Sequence, residues 1–369
     1  MILILTQCFP SRIGGIENLI FNLSYFLSKK NKVIVLADQH DVIKDKVFDN
    51  KFKNNFIIRR FSGIKYFRKR NKVKELEKII NFQNIKFIIG DSWKSLEMPI
   101  EMLQDKKIPS ICLIHGNEII VKNKNHKKRI LNTLRKVNKI VSNSVFTKNL
   151  LQKVNPELNN IEIIYPGTSS FDKVKEEELQ LADGQPTLLT LARLEKRKGH
   201  QNILYAISKI KDQYPNIRYI IAGDGKEKKN LISLSKILNI SKNVIFIGSV
   251  SEAQKKFIFN KTDLMIMPTI DETNKFSIEG FGIAYIEAAS FGIPSIASNI
   301  GGTKEAVLHN ITGIVLDDIN DLENSIRELI TNKDKRELYG QNAKKRALNE
   351  LNWDNQIQKY LKLMSKISK

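Results

Sequence analysis

The chain has 369 residues and carries 61 Lys and Arg against 39 Asp and Glu, a formal charge of +22. That length exceeds one ordinary core and suits two domains. No apolar run approaches the roughly 18 residues a transmembrane helix needs, and the only cysteines, Cys8 and Cys112, are expected to be buried free thiols of a reducing compartment, with too few grouped ligands for a metal site.

MILILT opens the chain as a buried strand, not a signal peptide, because no basic segment precedes it and Pro10 follows soon. PSRIGG leads into a helix beginning near Ile16, with Leu19, Leu23 and Leu27 spaced by four. KVIVLA, NFIIRRF, IKFIIG, IPSICLI, NKIVSNS and IEIIYPG follow as strands, with VKELEKII, HKKRILNTLRKV and FTKNLLQKV as helices among them. Buried strands separated by helices predict a mostly parallel sheet covered on both faces. This first domain is expected over 1–170. The acidic, Gly/Pro-punctuated SSFDKVKEEELQLADGQP is the expected linker.

The pattern then restarts. TLLTLAR, IRYIIAG, NVIFIGS, DLMIMP, GIPSIAS and ITGIVLDD read as strands, and HQNILYAISKI, KKNLISLSKIL, SEAQKKFIF, GIAYIEAAS and DLENSIRELI as helices. The second domain is expected over 185–350, with a last amphipathic helix over 353–369. The fold class is therefore α/β, with two doubly wound domains, and ligands are expected at the carboxyl ends of the strands.

Those ends hold the unusual residues. Glu279 and Glu287 have seven residues between them, beginning with Gly280-Phe281-Gly282, where glycine permits tight turns and close approach of a ligand. The helix beginning near Gly282 offers unpaired first-turn amides, which attract an anion such as phosphate. Glu287 lies more than one turn in and can touch another part of the same ligand. Arg193 and Lys198 follow the first strand of the second half. They read either as part of a solvated basic cluster with Lys196 and Arg197, or as a fork and a point charge converging on a diphosphate. Gly14 and Gly15 are either an ordinary tight turn or a backbone surface pressed against ligand. They do not form a GxGxxG fingerprint, nor is there a GxxxxGK[ST] loop, which disfavours a dinucleotide site and nucleotide hydrolysis of that type. Gly223-Asp224-Gly225 is weaker still as a ligand signal. His115 ends a strand before Gly116 and is either structural or a partner for a sugar hydroxyl.

Two basic clusters stand out, Arg59–Lys78 and Lys122–Lys139. The first interleaves Phe61, Tyr66 and Phe67 with cations, and the second contains no acid. Both are compatible with solvated helix faces. The aromatics favour a membrane surface over nucleic acid, for which no binding motif is present. The excess of Lys and Asn also fits the composition of an AT-rich genome, so the location of the charge matters more than its total.

In order, GGIEN, IHG, SNSVFTKNL, IYPG, LARLEKRKG, AGDGK, the Asp263 to Pro268 strand, EGFGIAYIEA and GGTKE resemble the retaining glycosyltransferases of the GT4 family, which have the two-domain GT-B fold. The resemblance covers almost the whole chain. It implies two Rossmann-like domains facing across a cleft and a nucleotide-sugar donor held mainly by the second. On that resemblance Glu287 holds the ribose hydroxyls and Glu279 the donor sugar. The amides of Phe281, Gly282 and Ile283 contact sugar and phosphate. Arg193 and Lys198 hold the diphosphate, Gly15 approaches it from the first domain, and His115 touches the transferred sugar. The family needs no metal or other cofactor and retains the anomer, by same-face attack in preference to a Glu279 nucleophile.

Ten residues, TIDETNKFSI, separate Pro268 from Glu279. That longer loop, and PSRIGGIEN, resemble the branch containing phosphatidylinositol-mannoside mannosyltransferases, which brings GDP-mannose forward beside UDP-sugars. The Asp the family often carries after the YPG turn is late here, at Asp172, and is given no role. The expected acceptor is a lipid-linked glycan or polysaccharide of the bacterial surface, made by a cytoplasmic enzyme peripheral to the inner face of the membrane through its basic clusters. Two other readings compete. One is a nucleotide-sugar epimerase of the same fold. The other is a non-enzymatic membrane- or nucleic-acid-binding protein, which would leave Glu279, Glu287 and Arg193 idle.

Overall fold

Thirteen short strands, nearly all buried, build two parallel sheets in the computed structural model, which describes residues 1–168 and 170–367. The first sheet holds β1 (Ile2–Thr6), β2 (Val33–Asp38), β3 (Ile57–Phe61), β4 (Phe87–Gly90), β5 (Ser110–Ile114), β6 (Lys139–Ser142) and β7 (Ile161–Ile163), in the order β3-β2-β1-β4-β5-β6-β7. The second holds β8 (Thr187–Leu191), β9 (Arg218–Ala222), β10 (Val244–Gly248), β11 (Leu264–Met267), β12 (Ser295–Ser298) and β13 (Gly313–Leu316), in the order β10-β9-β8-β11-β12-β13. Every pairing is parallel. The central strands are buried on both faces, which is why they read as continuous apolar runs. One core gathers Leu3, Leu5, Ile34, Ile88 and Ile114, the other Leu188, Ile221, Ile266 and Ile296. Each such side chain contributes about 1.5–3 kcal/mol by leaving water.

The chain divides into Met1–Gly167 with Trp353–Lys369, and Thr168–Asn352. Trp353, Ile357, Tyr360 and Met364 recur at helical spacing and are buried in the first unit, where Trp353 stacks on Phe26 at 6.0 Å. Residues 368 and 369 of this expected helix lie outside the described residues, as does Ser169 of the expected linker. The rest of that linker is a correction. It lies against the second unit instead of running free. Phe171 packs on Phe291 and Phe259, and Lys256 Nζ donates to the carbonyls of Phe171 and Val174, both at 3.0 Å. Gln254 donates to Glu177 at 2.8 Å. An acidic, punctuated segment is held here by a buried aromatic and a few polar ties that composition does not reveal.

Two long helices escaped the periodic reading, besides the short ones at Trp93–Leu96, Ile100–Asp105 and Thr303–Ala306. Lys333–Asn349 looks polar throughout, but buries a narrow face of Tyr339, Gly340, Ala343 and Ala347. A Cβ on Gly340 would stand 2.1 Å from the Gly292 carbonyl, so the helix needs glycine to lie so close. Val42–Phe52 is inverted in character: Asp45 is buried, while Val42, Ile43 and Val47 are exposed. Asp45 is drawn inward by Arg60, Ser11 and the His40 amide. Cys112 is buried, but Cys8 is only half-buried, against expectation. It ends a turn beside Asp91 instead of lying within β1, and burial and the Asp91 charge still push its thiol up to about 12.

Candidate functional site

The turn after β8 brings three charges together. Lys196–Lys198 forms one turn of 3-10 helix, ended by Gly199 at φ 72°. A Cβ on Gly199 would stand 2.0 Å from the Pro268 carbonyl, so glycine lets this turn sit on the end of neighbouring β11. The Ile270 amide donates to the Arg197 carbonyl at 2.8 Å and fastens the contact. In consequence Arg197 and Lys198 turn inward, with 5% and 11% of their side chains exposed, and both meet Glu279. Lys198 Nζ donates to Glu279 Oε2 at 2.6 Å, and Arg197 donates to the same oxygen.

Burial alone would raise the Glu279 carboxyl, but Lys198 and Arg197 outweigh it and bring its pKa down to about 2. Lys198 moves down from the usual lysine value, chiefly through burial, with Glu279 opposing. Behind it His200 is buried and pushed down to about 4, first by burial and then by the Lys198 charge, so it stays neutral. Arg197 Nε is buried and has no partner among the described residues. A buried guanidinium donor left over from an otherwise paired cluster is the kind of group a ligand completes.

Arg193 lies outside this cluster, contrary to the expected pairing with Lys198. Its side chain is 60% exposed and bonds Glu195 at 3.0 Å, and Glu195 in turn reaches Arg197 at 3.5 Å. The cation that joins Lys198 on Glu279 is Arg197, which looked in the sequence like one more member of a solvated run. The signal that separates them is spacing from Gly199: only residues inside the tight turn are carried under β11.

Two glycine pairs act as seats. A Cβ on Gly301 would stand 2.1 Å from the Glu279 carbonyl, and one on Gly302 2.1 Å from that of Gly280. The Gly302 amide donates to the Glu279 carbonyl at 2.9 Å. Thus the GGTKE turn after β12 supports the backbone that aims Glu279. Gly223 and Gly225 similarly lie against Ala192 and Leu194, under the Arg193 loop, which gives AGDGK a structural role. Gly282, at φ 100°, begins the helix Ile283–Ser290, whose Tyr285 hydroxyl donates to the Met267 carbonyl. Phe281 is buried.

Glu287 is buried one turn along that helix. It pairs with Lys255 at 3.1 Å, and Lys255 also bonds Glu252 at 2.8 Å. Burial opposes the Lys255 charge, but the two carboxylates outweigh it and hold its pKa above the ordinary lysine value. The sequence reading passed over Lys255, which lies in an unremarkable amphipathic helix. The loop before Glu279 is folded: Asp271 caps a 3-10 turn at Thr273–Lys275, and Ile278 is buried.

His115, Gly14 and Gly15 belong to the first unit. His115 Nε2 lies 2.8 Å from the Asp91 carbonyl, and its amide donates to Glu118 at 2.6 Å. Asp91 accepts in turn from Thr6, the Gln7 amide and Ser95. The helix Gly15–Ser28 carries Glu17 in its first turn. A Cβ on Gly14 would stand 2.2 Å from the Glu17 carboxylate, which Arg12 holds at 2.9 Å. The glycines therefore make room first for the chain's own carboxylate.

The model of the family described as glycosyl transferases group 1 matches residues 171–346. The GDP-mannose-dependent alpha-(1-6)-phosphatidylinositol monomannoside mannosyltransferase of Mycobacterium tuberculosis is 28% identical over 172 residues, 46% of this chain and 45% of that protein. The match thus spans about half the length of the relative. Anabaena HepE in complex with UDP and glucose superimposes with a TM-score of 0.80 at 17% identity, over 99% of each chain. Sucrose-phosphate synthase from Thermosynechococcus elongatus gives 0.81 at 16%, over 99% of this chain and 98% of that one. At such identities the structural likeness shows the fold, two Rossmann-like units as in these GT-B enzymes.

Proposed function

Since residues 171–346 of this chain belong to the glycosyl transferases group 1 family, we propose that the protein transfers a hexose from a nucleoside-diphosphate sugar, GDP-mannose or a UDP-sugar, to a lipid-linked or polysaccharide acceptor. One observation carries this reading: Glu279 is held by two buried cations, and one of them keeps an unpaired buried donor. A diphosphate is the ligand that Lys198 and Arg197 fit, one as a point charge and one as a fork. When it takes their charge, Glu279 is released to accept from sugar hydroxyls. Glu287, buried and paired with Lys255, which opposes the upward push of burial on its carboxyl, suits the ribose hydroxyls. Arg193, the outer cation, meets the diphosphate from its exposed position, and the amides of Phe281, Gly282 and Ile283 complete the cradle.

The departing phosphate gathers negative charge as the sugar carbon leaves. Lys198 and Arg197 stabilise that charge without a metal, and donors of this kind are worth roughly 2.7–4 kcal/mol each. The family resemblance favours attack from the face that the phosphate leaves, with retention, over a covalent Glu279 intermediate. His115 touches the transferred sugar and Gly15 the diphosphate. The mannosyltransferase relative supports GDP-mannose as first candidate donor. Among the described residues no helix is long and apolar enough to cross a membrane. The basic segments Arg59–Lys78 and Lys122–Lys139 support a position at the inner face of the membrane, each exposed cation adding about 1 kcal/mol near an anionic surface.

A panel of GDP-, UDP-, ADP- and dTDP-sugars tests the reading. One donor class is expected to raise Tm and to be hydrolysed slowly in EDTA. The reading fails if none stabilises the protein, or if the product is an epimerised nucleotide-sugar without loss of the sugar.

A further inference from the structure

Glu287 is buried against a helix of ordinary amphipathic pattern, Glu252–Asn260, which starts from a capping box of Ser251 and Gln254. Lys255 lies near its beginning. The Lys255 side chain is 14% exposed and that of Glu287 9%, and Lys255 Nζ donates to Glu287 Oε1 at 3.1 Å. The same Nζ stands 2.8 Å from Glu252, whose side chain is half in water. One buried ammonium therefore serves two carboxylates. Packing sets the distance between the two helices. Phe259, one turn beyond Lys255, lies 4.9 Å from Phe291, which ends the Glu287 helix. Phe171 closes the trio at 5.1 Å from Phe291 and 6.0 Å from Phe259. The chain after Phe171 is tied to the Lys255 helix as well, at the Ala253 carbonyl, Gln254 and Lys256. Lys255 is thus held on Glu287 by apolar and backbone contacts that need no ligand.

The two carboxylates of the site live in opposite settings. Glu279 meets two cations, whereas Glu287 meets Lys255 and shares it with Glu252. Burial and the Glu252 charge push the Glu287 carboxyl up, and Lys255 opposes them. The charges of the other helices packed on it act elsewhere. Lys304 is exposed, and Arg346 donates to the carbonyls of Glu305 and Ala306. Lys344 stands beside Gly292, past the end of the Glu287 helix. Neither these groups nor Glu305 figure among the charges acting on the Glu287 carboxyl. Its state therefore turns on Lys255 and Glu252. That state matters for a sugar diol. An ionised carboxylate accepts at both oxygens, each more than once, while a protonated one turns one oxygen into a donor.

We infer that Lys255 is a positioning residue through which Glu287 selects ribonucleotides: it holds the carboxylate in place and charged before the donor arrives, ready to accept from both vicinal hydroxyls of a ribose. A 2′-deoxyribose brings one donor fewer to a buried carboxylate, and a site built to bond a hydroxyl rejects the analogue that lacks it. The donors are then sugars on guanosine or uridine diphosphate, and those on deoxythymidine diphosphate are refused. The inference rests on the assignment of Glu287 to the ribose and deepens it, by naming the residue behind the selectivity and the donors it turns away.

Calorimetric titration of the full chain with GDP, UDP and their 2′-deoxy forms reads the selectivity. The natural protein is expected to favour the ribose form of the base it binds by about tenfold or more. Lys255→Met keeps the length of the side chain and removes its charge. It should cut that preference to about threefold or less, by weakening the ribose form more than the deoxy form. Lys255→Arg should restore most of it. Acidification supplies a second readout. Lys255 lowers the Glu287 carboxyl and Glu252 raises it, so the pH at which ribonucleotide affinity is lost should move up in Lys255→Met and down in Glu252→Gln. A packing role alone moves neither. An undiminished ribose preference in folded Lys255→Met, or an equal loss for both forms, overturns the inference and leaves the donor reading standing. Should Lys255→Met not fold, Glu252→Gln, at a half-exposed position, decides: an unmoved acid limb overturns the inference. Failure of the natural protein to bind any of the four nucleotides overturns both readings.

Discussion

At the carboxyl end of the second sheet, Arg197, Lys198 and Glu279 are withdrawn from water and neutralise one another, whereas at that end of the first sheet Ile13, Ile43 and Phe67 stand exposed. Both ends cost stability, in different ways. Burying charge is tolerable only with near-complete pairing, and the second unit achieves it by seating backbone on glycine at Gly199, Gly301 and Gly302. Exposing apolar surface needs less geometry: a Cβ on Gly63, beside Ile64, would meet nothing within 4 Å. A site that must recognise a small polar ligand is built tightly from few residues.

The sharpest way to break that contrast is to remove one charge from the buried cluster. Lys198→Ala is expected to lower kcat by about 10²–10³ while vesicle binding is unchanged. Near-normal turnover would show that the cluster is structural only. Glu279→Gln leaves buried Lys198 without a paired carboxylate and Arg197 with Glu195 alone, and is expected to cost about 3–5 kcal/mol, read as a fall in Tm or in the denaturant midpoint.

The same residue has a pH signature. Its folded pKa of about 2 lies below the ordinary 4.5. The stability it contributes, on the order of 3 kcal/mol, is therefore present above pH 4.5 and drains away as pH falls through that value toward 2. Denaturant midpoints of the native protein should drop across this window, and those of Glu279→Gln should drop less. A matching decline in both proteins would assign the acid lability elsewhere.

Next in size is Gly199→Ala, which combines a left-handed backbone with a clash at the Pro268 carbonyl. A loss of about 1–3 kcal/mol is expected, with donor affinity weakened because Arg197 and Lys198 lose their anchor. Arg193→Ala is the smallest change. Its exposed pair with Glu195 is worth no more than about 1 kcal/mol, so Tm should stay nearly constant. Any effect belongs to the KM for the donor, and an equally large loss of stability in Arg193→Ala and Arg197→Ala would erase the distinction between the outer and inner cation.

Much of this protein is written in local pattern. The central strands were legible because strands buried on both faces must be apolar throughout, the edge strands β3, β7 and β10 by their β-branched residues, and the turn glycines and paired carboxylates announced themselves by residue type. The long polar helix Lys333–Asn349 was not legible, because its buried face is made of small residues that periodicity does not detect. The helix Val42–Phe52 was hidden for another reason: Val42, Ile43 and Val47 face water, only Phe48 and Phe52 pack inward, and its buried Asp45 is satisfied by residues distant in sequence. The acidic stretch after the YPG turn looked like a linker, but Phe171, Lys256 and Gln254 tie its first part to the second unit.

Sequence alone determined the fold class and the neighbourhood of the site, since both follow from short-range pattern and from residue chemistry. Which cation meets Glu279 and what Lys255 does were decided by tertiary structure. Arg193 and Arg197 differ by one short turn in the chain, and only the approach of Gly199 to Pro268 sends one into the cluster and leaves the other in water.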